Sequence, residues 1–130
     1  MNTPLVRRED ADGIAFLTLN RPEALNALSP ALFVELRAHV DAIAGAPDAV
    51  GCVVLQAEGR SFSAGNDLRA IQAGERAPTP SFQADTIVAL ERLAQRSLVT
   101  ERHETVDLGL LHTRDERLDE LAHRRFGLGT

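Results

Sequence analysis

The chain has 130 residues, 44% of them hydrophobic and 25% charged, a balance that suits one globular domain with a real core. Fourteen basic against nineteen acidic side chains leave a net charge of −5, and no basic stretch stands out, which argues against nucleic-acid binding. No apolar run is long enough for a membrane span, the opening residues 1–10 carry no secretory signal, and the single cysteine, Cys52, excludes an internal disulfide; together these predict a cytoplasmic protein.

Residues 5–8 and 13–19 read as two strands joined by a turn at 10–13, where Asp12-Gly13 is a strong hairpin signal because Gly accepts positive φ. Asn20-Arg21-Pro22-Glu23-Ala24 then breaks the extended pattern. Ser29-Pro30 opens a helix, with Ser supplying the cap oxygen and Pro losing no hydrogen bond at the first helical position. Leu32, Phe33, Leu36, Val40 and Ile43 recur at helical spacing and predict one buried face, which Gly45-Ala46-Pro47 brings to an end. The apolar run 51–57 predicts a strand, with Cys52 a buried structural thiol inside it, and the order of elements is β-α-β. Asp67 caps a short helix reaching about Ala73, and 74–80, with one Gly and two Pro, reads as a mobile loop. From Ser81 a second amphipathic helix presents Phe82, Ile87, Leu90 and Leu93 and runs to about Gln95. Beyond Arg96 apolar residues thin out, and 115–126 predicts a polar helix with Leu118, Leu121 and Phe126 as a thin apolar seam.

Ser63-Ala64-Gly65-Asn66-Asp67 forms a strand-to-helix turn of small residues. Small side chains let a ligand reach the backbone, and unpaired amides at a helix start attract anionic oxygen. Read alone, the turn is a weak signal, and a purely structural role fits it better.

Two motifs sharpen the reading. Residues 20–28, Asn-Arg-Pro-Glu-Ala-Leu-Asn-Ala-Leu, lie about forty residues ahead of 61–68, Ser-Phe-Ser-Ala-Gly-Asn-Asp-Leu. This pair closely resembles the crotonase superfamily of enoyl-CoA hydratases and isomerases, as do the helix and the Val53-Val54-Leu55 strand between them. The resemblance covers roughly residues 5–95. It implies an α/β fold, part of the family's ββα spiral, with 1–95 as the N-terminal part of a crotonase-like domain; 96–130, where the resemblance ends, reads as a divergent helical tail. It implies an acyl-CoA thioester as substrate or ligand, a place in fatty acid metabolism, and no cofactor or metal beyond the coenzyme A of the substrate. By the same resemblance, the Ala64 N–H stabilises the thioester oxygen as negative charge develops on it. Ser63, Gly65, Asn66 and Asp67 would shape the adenine and acyl pocket, and Ala24, Leu25 and Ala27 would lie along the nucleotide and pantetheine. Chemically this suits the reaction, because a thioester enolises poorly without preorganised donors at its oxygen. It requires the Ala64 N–H to point outward with no internal partner.

The resemblance places a second amide donor in a Gly-rich turn after a later strand, and the acid–base carboxylates beyond it. Residues 96–103, Arg-Ser-Leu-Val-Thr-Glu-Arg-His, show neither. Glu58, Asp67, Glu75, Asp85 and Glu91 form no pair suited to hydrating an enoyl thioester, and Asp67 reads as a helix cap. His103, His112 and His123 are spaced by nine and eleven residues, which matches no compact metal pattern. The expectation is therefore a truncated or divergent enoyl-CoA hydratase/isomerase relative. The alternative is an inactive remnant, or an acyl-CoA-binding or interaction protein that pairs with itself or with a full-length homologue. Hydratase and isomerase chemistry both stay open.

Overall fold

A computed structural model describes residues 3–93 and the backbone of 97–99. The first two strands, β1 (Val6–Ala11) and β2 (Ile14–Leu19), pair antiparallel from Val6↔Leu19 to Ala11↔Ile14. Asp12 (φ 54°) and Gly13 (φ 76°) make the turn alone, so β1 runs on to Ala11 rather than stopping near Arg8. Both residues tolerate the left-handed conformation that a two-residue hairpin demands.

Helix α1 (Pro30–Ala44) crosses from β2 to β3 (Cys52–Ala57), which pairs parallel to β2 from Ile14↔Cys52 to Leu19↔Ala57. Ser29 caps α1, its Oγ accepting the Leu32 N–H at 3.1 Å, and Pro30 takes the first helical position. The five positions expected from the spacing, Leu32, Phe33, Leu36, Val40 and Ile43, are its buried residues. A short helix α2 (Leu68–Gln72) and a longer α3 (Phe82–Arg92) lead to β4 (Ser97–Val99), parallel to β3. The sheet order is β1-β2-β3-β4, an α/β arrangement.

Strand β4 falls where no strand was expected. Three residues carry too little periodicity to announce themselves; pairing with β3, from Val53↔Ser97 to Leu55↔Val99, is what makes them a strand. The expected helix over 115–126 and the three C-terminal histidines lie outside the described residues.

One sheet face carries the main core. Ala15, Leu17, Leu19, Val53, Leu55 and Ala57 pack with the buried residues of α1, and Phe82, Ala89, Leu90 and Leu93 close over them from α3. Fully burying a side chain such as Leu17 or Leu32 contributes roughly 1.5–3 kcal/mol through area removed from water. Ile14, Phe16, Cys52 and Val54 form a second cluster on the opposite face. Burial pushes the Cys52 thiol above its ordinary pKa, as befits a structural rather than a reactive cysteine. Helix α3 is turned slightly from the expected phase: Ile87 is 44% exposed, and Thr86 is fully buried in its place. A hydroxyl can sit there because its Oγ1 donates to the Phe82 carbonyl at 2.7 Å, leaving no unmet polar group.

Candidate functional site

Because β2 and β3 are parallel neighbours, the segments that follow them leave the sheet at the same end, where α/β sheets characteristically bind ligands. The first, 20–28, makes a 3₁₀ turn at Pro22–Ala24, then passes through two consecutive left-handed residues, Leu25 (φ 52°) and Asn26 (φ 51°). Asn26 is completely buried, and every polar group of its side chain is used. Its Oδ1 accepts the Arg21 N–H at 2.8 Å, while Nδ2 donates to the carbonyls of Glu58 (2.8 Å) and Ser61 (2.9 Å). The Asn26 carbonyl in turn accepts the Ser63 hydroxyl at 2.8 Å. One carboxamide thus joins both segments. Gly59 (φ 86°) allows their close approach, since a Cβ there would lie 2.7 Å from the Pro22 Cβ.

Further along, the Leu28 N–H donates to the Gly65 carbonyl at 2.8 Å and the Asp67 N–H to the Leu28 carbonyl at 3.1 Å, an isolated parallel bridge between Leu28 and Asn66. Asp67 is buried and caps α2, its Oδ1 accepting the Ala70 N–H at 3.0 Å, and its Oδ2 pairs with Arg21 at 2.7 Å. The Ala70 amide first, and Arg21 with it, hold the Asp67 carboxyl below the usual aspartate range. It is an ionised cap and a reluctant base.

The amide expected to serve as the oxyanion donor is already engaged. The Ala64 N–H donates to the Leu25 carbonyl at 2.9 Å, because the left-handed Leu25 turns its oxygen toward the second segment. That of Gly65 is bonded to the Ser63 hydroxyl at 3.1 Å. The Ser63 and Asn66 N–H groups have no partner among the described residues. For Asn66 the bridge also fixes the direction. In a parallel bridge the flanking residues bond the partner strand, so the central residue's own N–H points away from it. Gly65 (φ 90°) precedes this amide, and its missing side chain leaves the approach open, with no atom within 4 Å of a notional Cβ. The amide of the turn that faces away from the first segment is therefore that of Asn66, while that of Ala64 is spent on Leu25. The Asn66 side chain is tethered as well, its Oδ1 accepting from Gln83 Nε2 of α3 at 3.1 Å.

Ala24, Leu25 and Ala27 are half-buried along the first segment. Arg21 and Asn26 are the residues that sequence reasoning passed over; an Asn between the apolar residues of Ala-Leu-Asn-Ala-Leu was the available signal. Two clefts, of about 480 Å³ between β1 and α1 and about 350 Å³ beside Pro47 and Arg92, lie elsewhere and include no residue of either segment. Among the described residues no cluster of His, Cys, Asp or Glu is arranged to hold a metal ion.

Residues 14–102 match the family model for enoyl-CoA hydratase/isomerase. This chain belongs to that family. The matched region reaches through β4, beyond residue 95. Among individual enoyl-CoA hydratase/isomerase relatives, it is 34% identical over 87 residues to the Arabidopsis thaliana protein named "Probable enoyl-CoA hydratase 1, peroxisomal", covering 66% of this chain and 32% of that one. The solved structure of a Mycobacterium marinum enoyl-CoA hydratase superposes with a TM-score of 0.57 at 35% identity, over 66% of this chain and 42% of that one. A monofunctional enoyl-CoA isomerase from M. smegmatis does so with a TM-score of 0.58 at 28% identity, over 75% and 40%. The chain thus spans about a third of the length of the curated relative and about two fifths of these structures. No helix among the described residues is long and apolar enough to cross a membrane.

Proposed function

We propose that this chain binds acyl-CoA thioesters along segments 20–28 and 61–67, and that the Asn66 N–H donates to the thioester oxygen. The observation that carries this reading is the direction of the Asn66 amide, pointed away from Leu28 by the bonds on either side and preceded by a residue with no side chain. A donor so placed favours the charge that grows on the oxygen when a proton leaves Cα or when water adds to Cβ. Coenzyme A enters as part of the substrate, and no further cofactor takes part. Ala24, Leu25, Ala27, Ser63, Ala64 and Gly65 line the path of the ligand, while Asp67 acts through Arg21 and α2 to hold the turn.

Binding without turnover by the isolated chain is the form of this proposal that the site favours. Asp67, the carboxylate nearest the turn in sequence, is committed to Ala70 and Arg21, and Glu58 is paired with Arg7. A second donor and the acid–base groups would come from a partner chain or from a longer form of this protein, with the lone cysteine suiting a reducing, cytoplasmic setting. Hydratase and isomerase activities are equally served by one amide donor.

Calorimetric titration tests the binding step. Acetyl-CoA is expected to bind, and a thioether analogue with CH₂ in place of the carbonyl is expected to bind roughly tenfold more weakly, the worth of one hydrogen bond. Equal affinities would remove Asn66 as donor, and no binding of either would overturn the reading. With a conjugated enoyl-CoA, the ultraviolet band is expected to persist; its loss would refute binding without turnover.

A further inference from the structure

In the β1–β2 hairpin, the Asn20 N–H donates to the Leu5 carbonyl at 2.8 Å, so alternate residues of β1 face β2 and the main-chain groups of Val6, Arg8 and Asp10 point to the sheet's outer edge. An edge of this kind is a template for another strand. At Val6, however, the template is already filled. The Val6 N–H donates to Glu35 Oε2 at 2.8 Å, and the Val6 carbonyl lies 3.1 Å from His39 Nε2, which donates to it. Glu35 and His39 stand one helical turn apart on α1, and together they give Val6 the acceptor and donor that a neighbouring strand would give. Farther along, the Arg8 and Asp10 side chains join in a two-bond ion pair (2.8 and 2.7 Å), which sets charge on the remaining edge.

We propose that Glu35 and His39 form an edge guard, two helix side chains that mimic a fifth strand at Val6 and keep a second copy of this chain from adding to β1. The arrangement is economical because the same helix that covers the core through Leu32, Leu36, Val40 and Ile43 presents both groups to the strand. The guard's two bonds are made on the outer edge of β1, facing away from β2, and involve no residue of segments 20–28 or 61–67, so it bears on assembly and not on ligand binding.

Amide hydrogen exchange in the full chain reads the guard at its own atom. Glu35→Ala is expected to speed exchange at the Val6 N–H by roughly ten- to a hundredfold, the range for losing a bond to a charged acceptor, whereas Glu35→Gln keeps an oxygen acceptor and most of the protection. A second readout uses Glu9→Cys, whose exposed position on β1 lies outside the guard. In an antiparallel edge-to-edge pair centred on Glu9 the two introduced thiols stand directly opposite each other, within disulfide range. The Glu9→Cys chain alone is expected to stay uncrosslinked under mild oxidation, and to crosslink once Glu35→Ala and His39→Ala are added. Unchanged Val6 exchange in Glu35→Ala, or equal crosslinking with and without the guard, would overturn the proposal. Should the triple variant not fold, the comparison of Glu35→Ala with Glu35→Gln still decides it.

Discussion

The layer between α1 and the sheet and the seam between segments 20–28 and 58–67 are held by different physics. In the layer, Leu17, Leu32, Val40 and Val53 are each at most 2% exposed, and they stabilise by area and volume, which several side chains could supply. In the seam, Asn26 meets one amide and two carbonyls atom for atom, and Asp67 divides its two oxygens between Ala70 and Arg21. The layer makes the domain stable; the seam gives the Asn66 amide its direction. Changes of equal size should therefore have unequal consequences in the two places.

The largest effect is expected in the layer. Leu17→Ala should lower the unfolding free energy by about 2–5 kcal/mol in urea titration, and Leu17→Met by less than about 1.5 kcal/mol. Equal losses from the two would show that shape, not volume, governs the layer. A smaller but sharper effect belongs to the seam. Asn26→Asp keeps the acceptor for Arg21 and sets an oxygen against the Glu58 and Ser61 carbonyls, which should cost about 1–3 kcal/mol and abolish acyl-CoA binding by calorimetry. Full stability with full binding in that variant would erase the distinction between the regions.

The smallest effect is a pH dependence at Asp67. Its carboxyl is depressed in the folded chain, so its contribution is complete above the ordinary aspartate value of about 3.9 and fades as pH falls through the lower folded value. The urea midpoint of Asp67→Asn should accordingly fall less between pH 5 and pH 3 than that of the wild type. Parallel decline of the two would mean that other carboxylates carry the acid sensitivity.

Much of this could be read from residue types alone. The Ser29 cap, the five buried positions of α1, the hairpin at Asp12-Gly13 and the Asp67 cap all rest on local chemistry, and the structure carries each of them. The phase of α3 escaped because a buried Thr86 satisfies its own hydroxyl within the helix, which hydrophobic periodicity does not register. Strand β4 escaped because pairing, not pattern, makes it. The outward-facing amide of the turn is that of Asn66, two positions beyond Ala64, whose own N–H is bonded to the Leu25 carbonyl. Residue identities located the turn, but which of its amides faces outward follows from the Leu28 bridge and the left-handed Leu25, both set by long-range pairing.

Cys52 has a use that its chemistry alone does not suggest. It is the only thiol of the chain, it is 2% exposed, and it lies in the strand that both regions share. A thiol reagent can therefore modify this protein only when β3 is uncovered, so labelling kinetics across a denaturant series would time the opening of the sheet in the unaltered chain, with no introduced probe.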